Sequence, residues 1–209
     1  MLQWWLDAVF ASECFDKVFV NMHYLSDQVS KWIDAYSKRT SRKILKIDET
    51  DTLLGTAGTL FYHAEPGEDF MTAYTDTFSA DFFATIPRIM AAWTRESSSL
   101  IGQIMTAGVV SFTPEDNSAT GNMLVDQDRV VYDFLEKGGS GKMAWAGVIF
   151  AKAEMLDEIK ATDKDIARDV LPRLCGRMRL LAHVNAYDIG RGVEHYERFK
   201  SQFKEQPIR

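Results

Sequence analysis

Hydrophobic positions recur at helical spacing from the start of the chain. Leu2, Trp5, Leu6, Val9 and Phe10 fall at i, i+3, i+4, i+7 and i+8 and predict an opening helix. No capping residue or turn precedes it. Val18-Phe19-Val20 is a short apolar run of strand type. Ser26 offers an N-cap to a helix striped by Val29, Trp32, Ile33 and Tyr36. Ile44 to Ile47 reads as a second strand. Leu53 to Thr59 is a glycine-punctuated turn entering a short helix, and Phe70 to Thr75 is a strand ending at Asp76. The spacing from Phe82 to Trp93 is helical, with Pro87 placing the start near Thr85 or Ile86. Ile101 to Thr106 reads as a strand. This alternation is the pattern of βαβ units and a parallel sheet.

The second half reads differently. Thr113 to Thr120 is a polar loop, Val130 to Phe134 a strand and Gly138 to Gly141 a flexible loop. Ala144 to Phe150 is a strand of small and apolar residues. Helices are predicted around Met155, Leu156 and Ile159, and over Ile166 to Leu174 with a break at Pro172. Leu180 to Val184 is a strand, and Val193, Tyr196, Phe199 and Phe203 stripe a last helix. No repeat or linker divides the chain, so residues 1–209 read as one domain.

Composition narrows the class. The 209 residues are 46 % hydrophobic and 26 % charged, which excludes a disordered or fibrous chain. The 24 basic and 30 acidic residues give a net charge of −6 without a basic run. Nucleic acid and anionic membrane surfaces are therefore not the expected partners. No apolar stretch approaches the roughly 18 residues of a membrane span, and the N-terminus lacks the basic segment and cleavage site of a signal peptide. Cys14 and Cys175 cannot staple a domain of this size, which points to a reducing, cytoplasmic setting.

The candidate chemistry is carried by few residues. Gly55-Thr56-Ala57-Gly58 can bring backbone N–H groups against a ligand at a helix N-terminus, or serve only as a tight strand-to-helix turn. Asp76 and Asp188 sit at strand ends, where ligands of open α/β sheets bind. For Asp76, spacing alone favours a helix-cap or turn aspartate. Two such carboxylates could share one Mg²⁺ with substrate phosphates. Glu136-Lys137 is either a ligand-binding pair or a solvated one. The four histidines have no ligand spacing, and no Walker, Gly-x-Gly-x-x-Gly or Gly-x-Ser-x-Gly element is present.

In order, Val20 to Leu25, Glu49 with Leu53 to Gly58, Tyr74-Thr75-Asp76, Thr120-Gly121 with Asp126, Phe134 to Lys137, Asp169 to Pro172 and Tyr187 to Gly190 resemble the sugar-1-phosphate nucleotidylyltransferases. The mannose-1-phosphate and heptose-1-phosphate guanylyltransferases are the nearest in flavour, and the resemblance covers nearly the whole chain. It implies a three-layer α/β/α sandwich around a mostly parallel mixed sheet, of the Rossmann-like nucleotide-diphospho-sugar transferase type. It divides the domain into a nucleotide-binding portion (1–106) and a sugar-binding portion (107–209). It implies transfer of NMP from an NTP to a sugar-1-phosphate, releasing pyrophosphate. By this resemblance Gly55, Thr56, Ala57 and Gly58 lie against the nucleotide. Gly121, Glu136 and Gly147 contact the sugar, Lys137 neutralises its phosphate, and Asp76 and Asp188 hold Mg²⁺.

The departures are specific. The family opens with a strand, a Gly-x-Gly-Thr-Arg-Leu loop and then a Lys-Pro pair, none of which occurs here. The resemblance therefore implies a shortened N-terminus, an exposed central sheet edge and, from that edge, self-association as a homodimer. It also leaves open a catalytically impaired nucleotide-sugar-binding or regulatory relative. Trp145 stands where a polar residue near the sugar is common, Gly138 where a proline is usual, and Arg191 where threonine is common.

Overall fold

The computed structural model describes residues 1–78, 82–98, 105–113, 120–137, 143–190 and 192–197. The predicted strand residues 101–104, most of the 113–120 loop, Gly138 to Gly141, Arg191, Phe199 and Phe203 lie outside them.

The opening stripe forms helix α1 (Leu2–Ser12), burying Trp5, Leu6, Ala8 and Val9. Strand β1 (Phe19–Met22) leads to α2 (Ser26–Thr40), which buries Ile33 and Tyr36. Ser26 is not the cap. Leu25 occupies that position in a left-handed conformation, and the Ser26 hydroxyl accepts a hydrogen bond from Thr50 at 2.8 Å. Strand β2 (Leu45–Asp48) pairs with β1 in parallel. Helix α3 (Gly55–His63) starts on the glycine-punctuated turn itself. Then come β3 (Phe70–Ala73), β4 (Thr77–Phe78) and α4 (Phe82–Ser97), which keeps Pro87 inside its first turns rather than starting there.

The remaining strands are β5 (Ala107–Phe112), β6 (Asn122–Val125), β7 (Val130–Leu135), β8 (Met143–Ala151), β9 (Met178–Val184) and β10 (Tyr187–Asp188). Residues 105–106 are not strand; the strand begins one residue later, as the buried β5, which periodicity left unassigned together with β6. The two predicted helices after β8 are shorter and tighter. They form a 3₁₀ turn (Ala153–Glu158), a π turn (Ile166–Val170) and a second 3₁₀ turn (Leu171–Leu174) holding Pro172.

The sheet corrects the expectation of a mostly parallel three-layer sandwich. Neighbouring strands run β3-β8-β5-β9-β7-β6, and β6 pairs back onto β8, closing a five-stranded mixed ring. Among the described residues only β1–β2 and β5–β9 are parallel; the other six pairings are antiparallel. The alternating pattern of the first half holds locally, in β1-α2-β2, but does not extend to the ring. There β6 and β7 form a hairpin, whose turn is closed by Asp126. Its carboxylate accepts Val130 N–H at 2.8 Å and its carbonyl accepts Arg129 N–H at 3.1 Å. Short connections of this kind permit only antiparallel neighbours.

Strand β8 is the spine. Trp145, Ile149 and Ala151 face a core shared with Ala57, Phe134 and the turns at 155–174. Ala144, Ala146, Val148 and Phe150 face α1 and α4, against Trp5, Ile86, Ile89 and Trp93. A strand buried on both faces reads as an unbroken apolar run, as this one does. A third cluster, around Leu6, Met22, Ile33, Tyr36 and Ile44, seats α2 on β1. No described helix is long and apolar enough to cross a membrane.

Candidate functional site

The glycine turn is held from two sides. From below, Glu49 is 2 % exposed, and its carboxylate accepts the Thr59 hydroxyl and, at 3.3 Å, Leu54 N–H. His23 donates Nδ1–H to the Glu49 carbonyl at 2.8 Å. From the side, Ala57 N–H donates to the Lys164 carbonyl at 3.1 Å, and Ile166 N–H donates to Thr56 Oγ1 at 3.0 Å. Gly55 has φ +78°, and a Cβ there would stand 2.3 Å from Lys164 O. Only glycine permits that approach.

The segment gripping the turn is itself pinned. Asp169 accepts Lys164 N–H at 2.8 Å and Asp165 N–H at 2.9 Å, and pairs with Arg168. These contacts, led by Arg168, hold its carboxyl well below the ordinary range. Asp163 pairs with Arg173 at 2.5 Å and accepts Lys160 N–H at 2.8 Å. Arg173 chiefly lowers its carboxyl against the opposing effect of burial. The Asp169 to Pro172 piece is thus a support of the glycine turn, reached through Lys164.

Tyr74 joins the turn to the ring. Its hydroxyl donates to Thr56 Oγ1 at 3.0 Å, and its N–H donates to the Gly147 carbonyl at 2.9 Å. Gly147 lies at a register shift between β5 and β8 and has φ +71°, and a Cβ there would stand 2.9 Å from Tyr74 Cβ. A bulge of this kind re-aims side chains beside a site. Trp145 meets Tyr74 edge-on at 5.1 Å and Phe134 at 6.1 Å, and its indole N–H donates to Val148 O at 3.0 Å. Its main-chain N–H donates to Gly121 O at 2.7 Å. The Phe134 ring fills the space a Cβ on Gly121 would need. Trp145 is therefore core, 7 % exposed, and Gly121 and Gly147 flank it.

Asp76 and Asp188 meet in the chain path. Asp76 lies in the turn between β3 and β4 rather than at a strand end. Strand β10 pairs antiparallel with β4, setting Asp188 opposite Thr77, the neighbour of Asp76. Ile189 N–H donates to the Asp76 carbonyl at 2.9 Å, and a Cβ on Gly190 would stand 2.7 Å from Asp76 Oδ2. Burial pushes the Tyr74 phenol above its ordinary range, and the negative fields of Asp165, Asp76 and Glu136 add to it. Glu136 and Lys137 occupy a bend after β7, with Nζ 3.9 Å from Oε1; the lysine is exposed. Among the described residues no three His, Cys, Asp or Glu side chains form a ready metal cage. Mg²⁺ asks for less, taking one or two carboxylates with the rest of its ligands from phosphate and water.

Sequence reasoning singled out the glycines and the aspartates but missed Tyr74 as their hub. The signal available was a tyrosine two residues before a candidate ligand carboxylate.

No protein-family model matches the chain, and no curated protein matches it. Among solved structures it is similar to HddC from Yersinia pseudotuberculosis, with TM-score 0.69 and 18 % identity over 95 % of this chain and 83 % of that chain. It is also similar to HddC from the same organism complexed with GMP-PN, with TM-score 0.67 and 19 % identity over the same shares. At such identity the likeness shows the fold the two chains share.

Proposed function

We propose that the chain binds a nucleoside triphosphate and a sugar-1-phosphate and transfers NMP to the sugar phosphate. The observation that carries this reading is the hydrogen bond from Tyr74 to Thr56 of the glycine turn, two residues along the chain from Asp76, with Asp188 opposite the residue after Asp76. A solved structure of the same fold complexed with GMP-PN supports the nucleotide half of it. An oxygen of the sugar phosphate attacks the α-phosphorus. The bond from that phosphorus to the β-phosphate oxygen breaks, and pyrophosphate leaves with the electron pair. Such transfers are accelerated mainly by positioning and charge stabilisation.

Each group then has one task. The Gly55 and Thr56 N–H groups that open α3 receive the nucleotide, in a turn held by the Glu49 contacts and by the Ala57 N–H bond to Lys164. Glu136 accepts from sugar hydroxyls beside Gly121 and Gly147. Lys137 lends positive charge to the sugar phosphate. Asp76 and Asp188 are the residues that would hold Mg²⁺, which when bound neutralises charge on the phosphates.

A second reading, a nucleotide-sugar-binding protein without turnover, is favoured by Lys137. Its ammonium is exposed and lies 3.9 Å from the neighbouring Glu136. Thermal shift against GTP, UTP, CTP, dTTP and their NDP-sugars, with and without Mg²⁺, tests binding. Pyrophosphate release with a panel of sugar-1-phosphates separates the two readings. A Mg²⁺-dependent shift with release is expected. A shift without release selects the binding protein, and no shift with any ligand rejects both.

A further inference from the structure

Helix α2 ends on a patch whose sign opposes that of the chain. Lys38, Arg39, Arg42 and Lys43 fall within six positions, and no residue from Tyr36 to Ile47 is acidic. All four are exposed, and among the described residues none of them pairs with a carboxylate. The two arginines are nevertheless held in place. The left-handed Ser41 turns the chain out of the helix. Beyond it Arg42 lies over the Phe10 ring of α1 at 5.3 Å, while Arg39 lies over Tyr36 at 5.5 Å. Phe10 and Tyr36 are stacked, with centroids 6.4 Å apart and planes 21° apart, and Trp32 stacks on Tyr36 at 5.3 Å. The Tyr36 hydroxyl is anchored in turn by the Asp7 carboxylate at 2.7 Å. A ring contact uses the face of a guanidinium and leaves its N–H edges for another partner.

We propose that this platform binds a short oligophosphate anion, a few phosphate groups linked in a row. Each guanidinium edge can meet a phosphate in a two-bond fork, and Lys38 and Lys43 add compact charges beside it. Lys38 and Arg39 also answer the roughly half negative charge of a helix C-terminus, but Arg42 and Lys43 lie past it. Lys46 is already offset by Asp34 at 2.8 Å. Four cations in so short a stretch suit the roughly four charges of a triphosphate chain, whereas a nucleic acid asks for a longer basic track. An acidic peptide spreads the same charge over more length. The platform is separate from the glycine turn: residues 38–43 lead into the start of β2, and the turn follows its end. The inference does not depend on the reaction proposed above.

Isothermal titration of the full chain with sodium tripolyphosphate, without Mg²⁺, tests it. Saturable binding that weakens with added salt is expected. Arg39→Gln with Arg42→Gln should weaken it at least about tenfold. Arg39→Lys with Arg42→Lys keeps the charge and loses the fork, and should weaken it at least about threefold. Should the arginine variants fail to melt cooperatively, Lys38→Gln with Lys43→Gln leaves the ring contacts intact and should cost at least about threefold in affinity. Titration with GTP separates the sources. A GTP site lost in the glutamine variant assigns the phosphate chain of a nucleotide, and a response to tripolyphosphate alone assigns a free phosphate chain. Absence of saturable binding overturns the proposal. Unchanged affinity in the glutamine variant does so by placing the anion elsewhere, and unchanged affinity in the lysine variant by leaving only a diffuse field. Tighter binding of a glutamate decamer or of single-stranded DNA also overturns it, making the patch a surface for a macromolecule.

Discussion

At the scale of single residues, the site rests on two glycines and a tyrosine. Gly55 carries both a left-handed backbone and a backbone carbonyl where its side chain would be. Gly55→Ala should cost at least about 2 kcal/mol, measured by chemical denaturation, because neither the strain nor the Lys164 contact can relax cheaply. Tyr74→Phe keeps the ring against Trp145 and removes only the hydrogen bond to Thr56. A loss of about 1 kcal/mol in stability is expected, with a larger proportional loss of nucleotide affinity in thermal shift, since Thr56 lies on the turn. An equal loss in the two would reduce Tyr74 to a packing residue.

At the scale of elements, the turns at 153–174 set the position of α3 through ion pairs rather than through a long helix. Asp163 is 7 % exposed and held by Arg173. Its folded carboxyl lies below the ordinary value, so the stabilisation is complete above about pH 4, the unfolded value. It is lost as pH falls through the lower folded value. Asp163→Asn should cost about 1–3 kcal/mol at neutral pH by stranding Arg173. The gap from the parent should narrow below pH 4 in urea melts followed across pH. A gap that stays constant would mean the pair is not what links Asp163 to stability.

At the scale of the whole molecule, the halves divided near residue 106 are not independent in packing. One core combines Trp5, Ile86 and Trp93 with Val110, Phe150 and Leu181, and β3 pairs with β8. Residues 107–209 expressed alone should therefore lack near-ultraviolet circular dichroism and bind a hydrophobic dye, whereas the full chain should show a single cooperative melt. Cooperative folding of either half alone would contradict this.

Much of this molecule is written locally. The stripe from Leu2 to Phe10, the run Ala144 to Phe150 and the turn at Gly55 to Gly58 are legible because burial on one face or both leaves a period in the residues themselves. Asp76 and Asp188 were legible as candidates for the same reason, each beside an apolar run. What the chain order conceals is which edges meet. The alternation of the first half suggested a parallel sheet, yet the direction of each ring strand depends on short connections and on β6 returning to β8, contacts between residues far apart in sequence. β5 is buried on both faces and so has no alternation, and Gly108 and Ser111 interrupt the apolar run that such a strand otherwise shows. The meeting of Asp76 with β10, the grip of Lys164 on Gly55 and the place of Tyr74 at their junction were likewise decided by tertiary structure alone. Hydrogen-bond partners and close approaches are properties of pairs, and a sequence displays only their separate halves.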